Sequence, residues 1–525
     1  MENRKIAAKA HKPQSHPAPN QAVVVGGGIS GLLAAKDLQG AGFQVSIYDA
    51  AATWGGCVAQ HEVAGVVLDA GADSFATRNT AVAELAAELG LADKIVTPNP
   101  AGAWVWLPDG PVPLPRTGVL GIPSDLSAPE VRTALGASGV LRAALDAKMP
   151  VNIGTTEAVS SIAELVRARM GKRVLERLVA PVVAGVHSAD PELLDVDMVA
   201  PGLRAGIREH GSLAAAVAAQ RAGGSKPGSA VGGLDGGMHT LVTTLVAQLR
   251  EAGVAMHAGH RIRAVYRGDT GPSEATGGES SALATAAAKA SDPVYDGGGD
   301  SRWIVEWEHG TEQGFEAAEL LVVSTDGPTA VQLLSAELPH LLPLAPAAGP
   351  DIRLVTLVVD VPELDSAPRG TGVLVAPGVA GIKAKALTHA TAKWEWLGNS
   401  TGPGTHVIRL SYGRAGVKAS DAVRLTPKTL REEDLIPTAL ADASALLGVP
   451  VTESDVLGAD IIRWQGALPF AAVGHQAKMA QIHMLANEVP GLALTGGWLS
   501  GNGLAAVVSG TRRQIRAVID SSSRM

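Results

Sequence analysis

The sequence predicts an α/β chain. A Rossmann-like nucleotide-binding domain is assembled from discontinuous segments and joined to an α+β domain and a helical insertion. Three observations predict this. An apolar strand, Val23-Val24-Val25, runs into Gly26-x-Gly28-x-x-Gly31 and then a helix. A second strand, Val45-Ser46-Ile47-Tyr48, ends in the acid Asp49. Past residue 90 the strand–helix alternation gives way to a mostly helical stretch, then resumes near residue 232 and again near the C-terminus.

The first element carries the most information. Gly26 permits the tight turn, Gly28 lets backbone approach a pyrophosphate, and Gly31 lets helix and strand pack closely. The helix N-terminus presents free N–H groups and the positive end of its dipole to phosphates. Asp49 follows Gly26 by 23 residues, close to the ~20 expected of an acid that binds a ribose hydroxyl. The fingerprint occurs once. The other dense glycine run, Gly228 to Gly237, has no strand before it, which argues against a second, nicotinamide-binding fold.

Composition bounds the rest. With 525 residues, 46% hydrophobic and 18% charged, the chain suits two or three globular domains. Aromatics are only 3%, so Ala, Val and Leu must build the cores. A net charge of −8 argues against a nucleic-acid binder. The single cysteine, Cys57, excludes an internal disulfide and fits a cytoplasmic setting. Residues 1–21 are polar and basic and read as a disordered tail without the apolar core of a signal peptide. The uncharged stretch Val489–Thr511 is glycine-rich and reads as strand–turn–helix rather than a membrane span.

The remaining elements follow in order. Thr80–Leu89 reads as a helix stopped by Gly90, with Val82, Leu85, Ala86 and Leu89 on one face. Trp104–Gly110 reads as a strand into a turn, and the prolines between Pro111 and Pro123 as an irregular loop. Ser127-x-x-Glu130 and Ser161-x-x-Glu164 are capping boxes that open helices Val131–Leu135 and Ile162–Met170, the second stopped by Gly171. A helix over Arg173–Val179 is expected to end before Pro181. Thr240–Leu249 is a helix, and Val254–His257, Arg261–Val265 and Leu320–Ser324 are strands. Residues 268–301 read as a flexible insertion. Strand-like runs follow at Arg353–Val361, Gly372–Ala376, Val407–Leu410 and Leu492–Thr495, then a last helix from about Ala505 to Ile519. The expected division is 22–90, 232–325 and 456–525 for the nucleotide domain, 91–231 for the helical insertion and 326–455 for the α+β domain.

After Asp49 the chain continues Ala50-Ala51-Ala52-Thr53-Trp54-Gly55-Gly56. An acid, a short gap and Gly-Gly resembles the extended flavin adenine dinucleotide (FAD) motif of the amine oxidase superfamily. Further segments resemble the oxygen-dependent coproporphyrinogen III and protoporphyrinogen oxidases of haem synthesis over about residues 22–520. They are Leu114–Asp125, Arg173–Val186, Arg463-Trp464 with Ala467-Leu468-Pro469 and Val473-Gly474-His475, and Gly496-Gly497-Trp498 to Gly501-Asn502-Gly503-Leu504. The pattern is closer to the bacterial branch that acts on coproporphyrinogen III. Three positions depart from the family: Cys57 replaces Arg or Lys, His187 replaces Tyr, and Leu504-Ala505 replaces Ile-Pro.

The resemblance implies FAD held by Gly26, Gly27, Gly28, Ile29, Ser30, Gly31, Asp49, Ala50, Gly55, Gly56, Cys57, Gly71, Ala72, Asp73, Ser74, Ile262, Trp464, Gly497, Asn502, Gly503 and Leu504. It implies an anionic porphyrinogen substrate met by Arg78, with Arg116, His187 and Lys383 as further candidates. It implies O2 as electron acceptor and H2O2 as product. The flavin carries the chemistry, so no acid–base pair is required. None is legible, and no H-x-x-x-H or C-x-x-C pair marks a metal site. Three alternatives stay open: the same chemistry on protoporphyrinogen IX, a general flavin amine oxidase, and a non-enzymatic scaffold with weak FAD binding. Peripheral attachment to a membrane or to a chelatase stays open as well.

Overall fold

The computed structural model describes residues 20–116, 118–156, 159–222, 231–268, 302–413, 431–466, 473–501 and 503–522. Residues 1–19 of the expected 1–21 tail, nearly all of the 268–301 insertion, Ala467-Leu468-Pro469 and Asn502 lie outside the described residues; Gln21, expected in the tail, instead opens the central strand.

Five parallel strands form the centre of the nucleotide domain. Their spatial order is Ala255–Ala258, Gln44–Asp49, Gln21–Val25, Leu320–Val323 and Leu492–Leu494. The Gln21–Val25 strand is buried on both faces, which explains its unbroken valine run. On one side, helices Ile29–Gly40, His239–Glu251 and Leu504–Ser522 share a core built from Val24, Leu32, Leu33, Leu245 and Val508. On the other side, Val23, Val323 and Leu494 meet Trp303, Val331 and Leu341. The Rossmann-like prediction is borne out, assembled from distant segments as expected.

A second, seven-stranded sheet runs Val456–Gln465, Asp351–Asp360, Thr405–Tyr412, Ala386–His389, Gly372–Val375, Trp104–Leu107 and Gly110–Pro113. All neighbours are antiparallel except Gly372–Val375 with Trp104–Leu107. Helix Glu432–Leu447 covers one face through Leu435, Ala439 and Leu446. Sheet membership departs from the expected boundaries. Strands 104–107 and 110–113 were expected in the helical insertion and 456–465 in the nucleotide domain, yet all join this sheet. Helix Gly327–Leu334, expected in the α+β domain, packs into the nucleotide core. Pairing across hundreds of residues decides membership, and local pattern does not report it.

The helical segment has its own core of Val131, Ile162, Leu165, Leu178, Val183 and Leu203. At its centre Arg169 is fully buried, with Nε donating to Asp146 Oδ1 at 2.5 Å and its other nitrogens to the carbonyls of Asp146, Pro150, Ile153 and Gly211. Two local expectations change here. The Ser161 capping box forms, but the Ser127 box does not. Pro129 sits at the first helical turn and holds Ala128 extended, so the helix starts one residue too late for Ser127 to cap it. Ser127 bonds Asp125 instead. The helix expected to stop before Pro181 continues to His187. Leu175–Val179 forms a π turn in which Ala180 N–H reaches Leu175 O, and this wider turn admits Pro181 without a broken α bond.

Two buried histidines set an acid limit. His389, fully buried, bonds His406 Nδ1 at 3.0 Å, and burial, then the neighbouring His406, lowers its pKa to about 3. Burial lowers His187 to about 4. The ordinary value is 6.5, so below that pH the unfolded chain binds protons that the folded chain refuses. Stability therefore falls as pH drops from 6.5 toward 4, by roughly 1 kcal/mol per pH unit for each imidazole. Urea unfolding at pH 7, 6 and 5 should show this slope, and His389→Asn should flatten it. A pH-independent midpoint would contradict it.

Candidate flavin site

The site is built at the carboxyl ends of the parallel strands. Gly26 takes φ +107, and its N–H donates to Tyr48 O at 2.8 Å. Ser324, at the end of the neighbouring strand, donates its Oγ to Gly26 O at 2.8 Å. A Cβ on Gly31 would lie 1.8 Å from Gly26 O, so only glycine lets the helix begin this close to the strand. Gly28 is the opposite case: a Cβ there would meet nothing within 4 Å. The helix that follows has no side-chain cap and no acid in its first turn, so its N–H groups face open space.

Gly55 and Gly56 close the other side of that space. Gly55 takes φ +107, donates its N–H to Gly27 O at 2.8 Å, and pairs with Gly28 as an isolated parallel bridge. A Cβ on Gly56 would meet only Gly28 Cα, at 3.4 Å. Asp49 stands at the rim; its carboxylate accepts from Gly27 N–H, and from Ala51 N–H at 2.6 Å. Burial raises its pKa, and those two N–H groups oppose the rise. Ala50 is exposed beside it. An uncapped helix end and two facing glycine backbones fit a dinucleotide diphosphate, with Asp49 in place for a ribose.

Other expected residues contribute differently from what their motifs suggest. Ile29 is buried in the core. Ser30 Oγ is buried and bonds Thr495 Oγ1 at 3.0 Å and Thr511 Oγ1 at 2.7 Å; these two threonines are 2.7 Å apart. This hydroxyl triangle ties the fingerprint helix to the last strand and the last helix. Cys57 is half-buried, and burial raises its thiol pKa. Ile262 pairs with Trp307 beside the core that holds Tyr48. Gly497 opens the short helix Gly497–Ser500 beyond the last parallel strand. Gly503 takes φ +104 with open space around its Cβ position, and Leu504 is buried.

The segment after Asp69 docks against the seven-stranded sheet. Gly71 passes so near Cys57 that a Cβ would lie 2.3 Å from the Cys57 carbonyl oxygen, while Ala72 N–H donates to that oxygen at 2.8 Å. Trp464 Nε1 donates to Ala70 O at 3.0 Å and Arg409 Nη2 to Gly71 O at 2.6 Å. Asp73 accepts from Lys393 Nζ at 2.9 Å and from Ser74 Oγ at 3.0 Å, with Arg409 Nη1 at 3.8 Å. Burial works to raise the Asp73 pKa, but Lys393 and Arg409 outweigh it and hold the carboxylate at about 2. Trp464, Asp73 and Ser74 thus form a seam between the two sheets. His61 Nδ1 and the Asp460 carboxylate extend it at 2.7 Å.

Beyond the seam lies a half-buried row. Ile462, Leu354, Ser411, Ala386 and Leu374 are cross-strand neighbours. By the two-residue alternation they share a face with Trp464 and Arg409. Helix Ala180–His187 covers the far end, where a Cβ on Gly185 would lie 2.7 Å from Leu374 Cδ2.

The four expected substrate residues lie on different segments of the chain. Arg78 is exposed and has no ion pair among the described residues. Arg116 is exposed and donates to Pro100 O at 2.8 Å. His187 is buried at the end of its helix. Lys383 is exposed in the loop before the Ala386–His389 strand. Sequence reasoning missed Arg409, Lys393, Thr495, Thr511 and Lys385, whose partners lie far away in the chain and leave no local motif.

The model for flavin containing amine oxidoreductases matches residues 29–290. The chain is an FAD-dependent oxidoreductase of that type. Within it, the chain is similar to proteins named coproporphyrinogen III oxidase. One from Mycobacterium leprae is 28% identical, covering 94% of this chain and 97% of the relative. One from Bacillus subtilis is 25% identical, covering 92% and 94%. A solved structure from Exiguobacterium sp., provisionally named a protoporphyrinogen oxidase, superposes with a TM-score of 0.74 at 23% identity, covering 96% of this chain and 99% of that one.

The glycines separate folding from cofactor retention. Gly28→Ala should leave the apoprotein's melting temperature unchanged yet lower bound flavin, read from visible absorbance after gel filtration. Gly31→Ala should destabilise the apoprotein itself by about 1–3 kcal/mol or more. Equal effects of the two substitutions on apoprotein stability would refute this division.

Proposed function

We propose that this chain oxidises coproporphyrinogen III to coproporphyrin III, with O2 as acceptor and H2O2 released. Near full-length similarity to proteins named coproporphyrinogen III oxidase carries the reading, and the glycine cradle that fits a dinucleotide supports it. FAD, when bound, supplies hydride acceptance and electron transfer to oxygen. Removing six hydrogens from a porphyrinogen takes three such two-electron cycles.

The chain's own residues bind, orient and exclude water. Gly27, Gly28 and the first turn of helix Ile29–Gly40 hold the diphosphate, with Asp49 on a ribose. Trp464 and Arg409 bring the sheet onto the carbonyls of Ala70 and Gly71, so the apolar row of Ile462, Leu354, Ala386 and Leu374 forms a wall for the flat, mostly apolar macrocycle. The same wall excludes water from the face on which the macrocycle would lie. The single nucleotide fingerprint supports oxygen, rather than a nicotinamide, as acceptor.

The test adds coproporphyrinogen III to purified holoenzyme in air and follows porphyrin fluorescence, O2 uptake and peroxide. About three O2 consumed and three H2O2 formed per porphyrin are expected. A rate no higher than autoxidation would overturn the reading. A higher kcat/KM on protoporphyrinogen IX would reassign the substrate.

A further inference from the structure

The glycine cradle has two flanks. Asp49 and Ala50 stand on one, with the carboxylate in place for a ribose. Gly55, Gly56 and Cys57 lead to the other, where Cys57 O accepts Ala72 N–H at 2.8 Å. A dinucleotide with its diphosphate between Gly28 and Gly56 and its adenosine ribose at Asp49 extends its other half toward the second flank. In FAD that half carries the flavin ring.

The second flank is charged. Lys393 Nζ stands 2.9 Å and Arg409 Nη1 3.8 Å from Asp73 Oδ2, so two cations share one carboxylate and leave one positive charge over. The side chains of Asp73, Lys393 and Arg409 are 21%, 16% and 10% exposed, and water and salt screen such a site poorly. Both cations are held in place. Lys393 Nζ lies 4.9 Å from the centre of the Trp394 ring, and Arg409 donates to Gly71 O. Two further acids near the turn are engaged elsewhere. Asp69 accepts the N–H groups of Met238 and His239 and pairs with the His239 ring. Asp460, two strands from Arg409 in register, is bonded to His61 at 2.7 Å.

We infer that the flavin ring lies at this flank and that Lys393, Arg409 and Asp73 set its reduction potential, their excess positive charge favouring the reduced form. Uptake of two electrons and one proton leaves a neutral flavin ring with one negative charge. A fixed cation in a poorly screened site stabilises that charge. The inference rests on FAD as the cofactor and is independent of which substrate delivers the electrons.

The test measures the two-electron potential of the FAD-loaded protein by equilibration with a redox dye, for wild type, D73N, K393M and R409K. D73N and K393M break the same ion pair but change the charge in opposite directions. D73N should favour reduced FAD and K393M oxidised FAD, each by about tenfold in the equilibrium, or about 30 mV for a two-electron couple. R409K keeps the charge and should stay near the wild-type potential. A pair that only holds the seam together would move D73N and K393M the same way. That result, or no shift in either, would overturn the inference and leave the proposed function standing. Where one of the two does not retain FAD, the sign of the other's shift decides, and R409M, expected to move with K393M, stands in where both fail. A wild-type protein that takes up no FAD would remove the cofactor assignment itself and the inference with it.

Discussion

Much of the site depends on the close packing of Gly31 against the Gly26 carbonyl, where a Cβ would lie 1.8 Å from the oxygen. With no Cβ on Gly31, the helix begins directly above the end of the central strand. Its free N–H groups then face the space beside Gly28 and Gly56. Ser324 reinforces the turn from the next strand. The Ser30–Thr495–Thr511 triangle pins the same helix to the chain's last strand and helix. Three buried hydroxyls satisfying one another avoid the cost of unpaired polar groups, so segments more than 460 residues apart meet in one arrangement.

The second constraint is the seam at residues 70–73. Two side-chain donors, Trp464 and Arg409, take carbonyls of a turn whose own pairing is already spent on Cys57. Asp73 joins the seam as an anion between Lys393 and Arg409. A partly buried acid with two cations and a hydroxyl is well compensated; the loss of one partner leaves charge without its match. The seam sets where the seven-stranded sheet stands relative to the flavin cradle. It thereby brings one sheet face against the 70–73 turn.

Much of the flavin half was legible in sequence because its signals are local. Gly26, Gly28, Gly31 and Asp49 fall within one βαβ unit, and their roles follow from φ angles and close approach. The Ser161 box and the Gly171 stop were legible for the same reason. Failures came where one local rule overrode another: Pro129 displaced the Ser127 cap, and a π turn carried the helix through Pro181. The substrate half was far less legible. Arg78 and Arg116 were chosen as cations near motifs, yet both lie exposed. Lys385 sits in an unremarkable loop, and one of its partners, Ser188, is 197 residues away.

The sequence by itself determined the dinucleotide fingerprint, its single occurrence, the division into helical and strand-rich stretches, and a family resemblance that specified FAD. Those properties are encoded in spacing and side-chain size over a few dozen residues, where period and steric fit leave few alternatives. Only the tertiary structure decided which strands share a sheet and which side chains reach the 70–73 turn. Those outcomes depend on long-range pairing and on side chains brought together from opposite ends of the chain, and no local window of sequence contains both partners.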